Sequence, residues 1–281
     1  MIPGFDTDEF VRRALAEDLG EGGDVTSAAT IRADARFSAE LAAREPIVVA
    51  GLDLAAAFFR ALDEDVVIEK EASDGFAVEE GGVLLRLKGN ARAMLAAERP
   101  ALNTLQHMSG IATLTRRYVD AIAGTGAVVL DTRKTIPGLR AIEKYAARMG
   151  GAQNHRMRLD DGVLIKDNHV AVAGGVGPAV CAAKEANTGL QVQVEVDRNE
   201  QIEEALAAGA DRLLLDNMDL PTLRRAVELV AGRVPLEASG GVRLDTIRGI
   251  AETGVDFISV GRITQSAPAV DIGMDYSLHA S

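Results

Sequence analysis

The hydrophobic rhythm of the chain changes after its first third. Over residues 5–18 the apolar positions Phe10, Val11, Ala14 and Leu15 fall at helical spacing, and Leu19-Gly20 supplies a glycine stop. Residues 35–50 alternate loosely and are rich in strand formers, closing at Gly51. Residues 54–62 predict a short helix, and residues 66–70 and 83–87 predict strands on either side of the turn Glu79-Glu80-Gly81-Gly82. Residues 91–122 predict long helical segments. This part reads as a β-rich sandwich with a helical cover.

From residue 127 onward, short apolar runs alternate with helical patterns. The runs are 127–130, 162–165, 192–196, 212–215, 236–238 and 257–260, with helical patterns such as 200–208, 220–230 and 244–253 between them. Such alternation predicts parallel strands joined by right-handed crossovers. Six strands are fewer than the eight of a closed barrel, so the expectation is an open, incomplete β/α barrel, with a doubly wound sheet as the alternative. The tail after Ser266 has no such unit and is expected to pack back on the first domain. The expected divisions are 1–110, 111–266 and 267–281.

Composition narrows the class. The chain has 281 residues, 47% hydrophobic and 26% charged, as in an ordinary globular protein. No apolar run approaches the roughly 20 residues that span a bilayer. The opening Met-Ile-Pro-Gly-Phe-Asp carries no basic or apolar signal region, so a cytoplasmic location is expected. The one cysteine, Cys181, lies in an Ala-rich helical pattern and reads as a small buried hydrophobe. The formal net charge of −12 argues against nonspecific nucleic-acid binding.

The charge is unevenly spread. Between Asp131 and His169 eight Lys/Arg stand against five acids, a window of +3 inside a −12 chain. Lys144, Arg148 and Arg158 read as solvated surface charges. Arg133, Lys134, Arg156 and Lys166 do not, because each lies at a strand end or beside a Gly-rich turn. In Asp131-Thr132-Arg133-Lys134 two cations end a buried strand, the edge at which α/β proteins bind ligands, and they ask for an anion. The stretch from Met149 to Arg156 predicts a flexible turn ending in the donors Asn154, His155 and Arg156, the last a bidentate fork for a carboxylate. Arg99, placed before Pro100 at an expected helix start, is a third candidate.

Other strand ends differ in chemistry. Ser239-Gly240-Gly241 and Gly261 allow backbone N–H groups close approach to a phosphate. Glu195 and Asp216 could bind ribose hydroxyls, hold Mg²⁺ through a diphosphate, or stabilise a developing cation. His107, His155, His169 and His279 form no zinc-binding spacing, and no P-loop, GxSxG or dinucleotide-binding glycine motif is present.

These segments resemble quinolinate phosphoribosyltransferase essentially end to end. The resemblance is carried by Glu17-Asp18-Leu19-Gly20 with Gly23-Asp24-Val25-Thr26, Glu98-Arg99-Pro100 through Thr113, Asp131 through Gly138, Asn154-His155-Arg156, Leu164 through His169, Glu195-Val196-Asp197, Leu215-Asp216-Asn217, Ser239-Gly240-Gly241 and Ser259-Val260-Gly261. It implies a type II phosphoribosyltransferase fold, with an α/β sandwich, an open β/α barrel, and a homodimer sharing its active sites. It also implies transfer of phosphoribosyl from phosphoribosyl pyrophosphate to quinolinate, with Mg²⁺ and loss of carbon dioxide. By position, Arg133, His155 and Arg156 would hold the quinolinate carboxylates, with Arg99 arriving from the partner subunit. Lys134 and Lys166 would lie between acid and pyrophosphate, Glu195 and Asp216 would face the ribose and metal, and Ser239, Gly240, Gly241 and Gly261 would take the 5′-phosphate. Lys134, Lys166, Glu195 and Asp216 would carry the catalysis.

Two departures stand out. Ala152 occupies a usual glycine position, a small change unless its φ is positive. Arg262-Ile263-Thr264-Gln265 replaces a commoner Ala-Leu-Thr-His. Three rivals are a relative from molybdenum-transport operons acting on another aromatic acid, a phosphosugar-binding barrel with isomerase or lyase activity, and a catalytically silent binding protein. The paired Arg133 and Arg156, the second domain, and the intact Glu195 and Asp216 weigh against them in turn.

Overall fold

In the computed structural model, which describes residues 2–277, the chain divides into two compact units. Of the described residues, one unit comprises 2–116, 141–151 and 266–277; the other comprises 117–140 and 152–265. His279 lies outside the described residues.

The first unit opens with α1 (Thr7–Leu19), capped by the Asp6 side chain and stopped at Gly20. There follow α2 (Val25–Thr30), β1 (Arg36–Ala43), β2 (Ile47–Val48), α3 (Leu52–Leu62), β3 (Val67–Lys70), β4 (Ala77–Val78) and β5 (Val83–Asn90). The long helix α4 (Ala91–Ala121) runs through Pro100 without a break. Arg99 therefore sits within a helix rather than at its start. A proline interior to a helix forfeits one backbone hydrogen bond, and Ala97, Ala101, Leu102 and Leu105, all buried, hold the helix through it.

The chain then passes through β6 (Val128–Leu130), α5 (Arg140–Met149), β7 (Val163–Ile165), α6 (Asp167–Ala173), α7 (Val176–Glu185), β8 (Val192–Val196) and α8 (Glu200–Ala207). It continues through β9 (Arg212–Asp216), α9 (Leu220–Val230), β10 (Leu236–Ser239), α10 (Ile247–Ala251), β11 (Phe257–Ser259), α11 (Arg262–Gln265) and β12 (Ile272–Ser277). The tail thus contains a strand of its own. It pairs antiparallel with β1 in a four-stranded sheet ordered β12-β1-β5-β3.

In the second unit, the six expected strands form one parallel sheet, ordered β6-β11-β10-β9-β8-β7. From β7 to β11 each strand neighbours the next in sequence, and the first strand, β6, pairs with the last. A doubly wound sheet would instead reverse direction part-way across. This order is that of a β/α barrel left open between β6 and β7. On the free edge of β6, Leu130 forms a parallel bridge to Gln153.

Two side chains defeat their sequence expectation. Cys181 is exposed, because α7 buries Val176, Ala179 and Val180, and the next position rotates about 100° away from that face. Lys144 is 0% exposed, since α5 turns a broad buried face that includes Ile142, Glu143, Ala146 and Ala147. Arg148 and Arg158 are exposed as expected.

Candidate active site

Side chains alternate across a strand, and hydrogen bonding in register lines up the same face of each neighbour. The pairings Gln193↔Arg212, Leu214↔Glu237 and Ser239↔Asp216 put Gln193, Glu195, Arg212, Asp216, Glu237 and Ser239 on one face of the barrel sheet. Leu213, Leu215, Val194 and Val196 occupy the opposite, apolar face and are buried. Lys134, Lys166, Glu195, Asp216, Ser239 and Gly261 lie at or just past the carboxyl ends of these strands, whereas His155 and Arg156 come from the loop before β7.

Lys134, just past β6, meets Gly261, just past β11. A Cβ on Gly261 would lie 2.9 Å from Lys134 Cδ and 3.7 Å from its Nζ, so only glycine leaves that lysine its path. The Thr264 hydroxyl donates to the Lys134 carbonyl at 2.8 Å and ties the two ends together. Gly240 has φ +94°, and a Cβ there would fall 2.1 Å from Asn217 Oδ1. Asn217 itself is left-handed at φ 54°, and its N–H donates to the Ser239 carbonyl at 2.9 Å. These turns are close-packed against one another.

Lys166 Nζ donates to Glu195 Oε2. Asp216 Oδ2 accepts from Asn217 Nδ2 at 2.6 Å. Glu195 and Asp216 end the adjacent strands β8 and β9. Among the described residues no group of three His, Cys, Asp or Glu gathers to hold a metal. Two carboxylates suit an ion such as Mg²⁺, which keeps several waters and completes its shell with substrate phosphates.

The segment around Arg156 is pinned, contrary to the flexible turn expected of it. The buried Asp131 accepts from the His155 N–H at 2.8 Å and from Asn154 Nδ2 at 2.5 Å. The Arg156 N–H donates to His155 Nδ1 at 2.8 Å, and Arg156 Nη1 donates to the Gly162 carbonyl at 2.8 Å. Asp161 accepts the N–H groups of Met157 and Arg158, and these backbone bonds outweigh burial to hold its carboxyl below the ordinary range. Arg140 joins the two cationic loops, donating to Thr135 Oγ1 at 3.1 Å and to the Met157 carbonyl at 3.2 Å.

Within this frame Arg133 and Arg156 lie close enough to repel. Burial, then the charge of Arg133, lowers the pKa of the Arg156 guanidinium against the opposing pull of Asp161. The Nε atoms of both arginines are buried with no hydrogen-bond partner. Two half-buried like charges with unused donors are costly without an anion, and they suit a planar carboxylate.

The sheet interior holds a residue that strand-end reasoning passed over. Glu237, midway along β10, is 0% exposed. It accepts from Gln193 Nε2 at 2.7 Å and from Ser259 Oγ, and Arg212 Nη2 lies 2.8 Å away. His155 Nε2 faces its Oε2 at 3.4 Å. Burial pushes the Glu237 carboxyl up, but His155, the charge of Arg212 and the Ser259 hydroxyl together hold it below the ordinary value. The available signal was a charged residue inside the short apolar strand Leu236-Glu237-Ala238. Arg99 belongs to the other unit, on α4, with its side chain 59% exposed and 3.8 Å from Glu98.

The departures are benign here. Gly150 could not carry a Cβ, which would sit 2.5 Å from the Ala112 carbonyl oxygen, and Gly151 has φ +103°. Ala152 is buried, and its φ is not among the positive ones. Arg262 is exposed in the first turn of α11.

Comparison with known proteins gives one answer from several directions. Residues 24–109 match the N-terminal domain, and residues 111–275 the C-terminal domain, of quinolinate phosphoribosyl transferase. The chain is 44% identical over 275 residues to nicotinate-nucleotide pyrophosphorylase (carboxylating) of Mycobacterium leprae, covering 95% of this chain and 96% of that protein. It is 42% identical to the chloroplastic protein of that name from Arabidopsis thaliana, covering 97% of this chain and 83% of the other. The solved nicotinate-nucleotide pyrophosphorylase from Francisella tularensis superposes with a TM-score of 0.94 at 40% identity, covering 99% of both chains.

Proposed function

The chain belongs to the quinolinate phosphoribosyltransferase family, and from that premise we propose how its side chains divide the reaction. It is a pentosyltransferase of NAD biosynthesis that converts quinolinate and phosphoribosyl pyrophosphate to nicotinate mononucleotide, pyrophosphate and carbon dioxide.

The observation that carries the residue assignment is the pair Arg133 and Arg156, half-buried, mutually repelling, each with an unpartnered buried Nε. They bind the two adjacent carboxylates of quinolinate and present its ring nitrogen to the ribose. That nitrogen attacks the anomeric carbon as the bond to pyrophosphate breaks, its electron pair leaving with the pyrophosphate. Positive charge develops on the sugar, where the carboxylates of Glu195 and Asp216 favour it. Lys134 and Lys166 lie between the acid and the diphosphate, so the leaving group departs toward cations. The bond from the pyridine ring to the carboxylate beside its nitrogen then breaks. Its electron pair stays on the ring carbon, stabilised by the new positive nitrogen, until a proton arrives. The protein's part in that step is orientation.

Ser239, Gly240, Gly241 and Gly261 receive the 5′-phosphate on backbone N–H groups; the left-handed Gly240 makes the turn, and Gly261 leaves room for the Lys134 side chain. Glu195 and Asp216 would hold Mg²⁺, which when bound neutralises diphosphate charge. The working unit is a homodimer in which Arg99 of one subunit completes the acid site of the other; its exposed position on α4 supports this. No helix among the described residues is long and apolar enough to cross a membrane. The enzyme works in the reducing cytoplasm, where its single cysteine needs no partner.

The test supplies purified protein with Mg²⁺, phosphoribosyl pyrophosphate and either quinolinate or nicotinate. Nucleotide and carbon dioxide should form from quinolinate, with no turnover of nicotinate and none in chelator. Turnover of nicotinate in place of quinolinate would refute the dicarboxylate assignment.

A further inference from the structure

Glu237 takes no part in the chemistry above, yet it is the most completely enclosed carboxylate of the barrel strands. Arg212 alone would balance its charge, and Gln193 and Ser259 already engage its oxygens. His155 comes from the loop before β7, not from a barrel strand, and still reaches Glu237. Its Nδ1 accepts a hydrogen bond, and its Nε2 lies 3.4 Å from Glu237 Oε2. Because the Arg156 N–H donates to Nδ1, the ring hydrogen belongs on Nε2, and Nε2 faces Glu237.

Stability does not account for this cluster. Buried ion pairs replaced by well-packed apolar residues are often neutral or stabilising, and here Arg212 Nε is left buried without a partner. What the cluster does accomplish is geometric. Asp131 holds residues 154 and 155 from the end of β6, and Glu237 holds the His155 ring from β10. Between them the backbone N–H of Arg156 has a fixed acceptor. The guanidinium that follows donates from Nη1 to the Gly162 carbonyl at 2.8 Å and lies near enough to Arg133 to feel its charge.

We propose that Glu237 is a positioning residue for the acid site, acting through the His155 ring to fix Arg156 against Arg133. The inference rests on the assignment of Arg156 to the quinolinate carboxylates. It also gives His155 a defined task, as the link between the barrel interior and the clamp.

The test is Glu237→Gln, which keeps the shape and removes the charge. The expected protein is folded, with KM for quinolinate raised about tenfold or more, KM for phosphoribosyl pyrophosphate within about twofold, and kcat little changed. Proton–nitrogen correlation spectra of the imidazoles should show His155 with its hydrogen on Nε2 in the parent and a mixture of tautomers in the variant. In a cycle with His155→Ala, Glu237→Gln should add little to the rise in quinolinate KM. A parallel rise of both KM values, or additive effects in the cycle, would overturn the proposal. If Glu237→Gln does not fold, Glu237→Asp carries the same comparison. Arg156→Lys separates the acid-site assignment from the role of Glu237. An unchanged quinolinate KM in Arg156→Lys removes the acid-site assignment and this inference together. A raised KM there, with Glu237→Gln unaffected, removes this inference alone.

Discussion

On the proposed assignment, Arg133 and Arg156 are binding residues set against stability. Their mutual repulsion and idle Nε donors burden the free protein and become favourable only when an anion sits between them. Arg133→Met should therefore leave the melting temperature of the free enzyme unchanged or higher, while raising quinolinate KM roughly 10–100-fold, the range for a lost hydrogen bond to a charge. Calorimetry and initial rates on one preparation check both halves. The clustering of these cations was legible in the sequence: Arg133 ends an apolar run at a strand end, and Arg156 closes a Gly-rich turn. Glu237 was not, since one acid in a short strand reads as an outward position until the register shows which face is enclosed. Lys144 and Cys181 were misjudged for a related reason. Burial depends on the angle at which a helix meets its neighbours, and local sequence does not encode that angle.

At the level of elements, every barrel strand was legible, because buried parallel strands are short apolar runs with sharp polar ends. The two-residue strand β4 and the terminal β12 were not, being defined by partners distant in sequence. The turns that join strand to helix carry a demand that sequence shows only as glycine. Gly240→Ala would combine a left-handed φ with a Cβ 2.1 Å from Asn217. We expect a loss of about 1–3 kcal/mol and a melting temperature lower by several degrees. Gly241→Ala, with nothing near its Cβ, should cost only the φ penalty. Thermal melts of the two variants compare steric and conformational strain directly, and equal losses would refute the packing of Asn217 onto Gly240.

For the whole molecule, the shared-site reading makes a stoichiometric prediction. Arg99→Ala and Lys134→Ala homodimers should both be nearly inactive, whereas an equal mixture after subunit exchange should recover about a quarter of the parent activity, since half the dimers then hold one intact site. Failure to recover, with exchange verified by mass, would mean that Arg99 serves no site across subunits. The change in hydrophobic rhythm gave no sign that residues 141–151 belong with the first unit. The return of the last strand to the first unit was legible only as a leftover tail. That return has a consequence for biosynthesis. β1 leaves the ribosome more than two hundred residues before β12, its antiparallel neighbour, and the entire barrel is made in the interval. Until translation reaches β12, one edge of β1 stands open to any strand it meets, including that of a sister nascent chain. The catalytic barrel can be complete while the sheet translated before it still waits for its last strand.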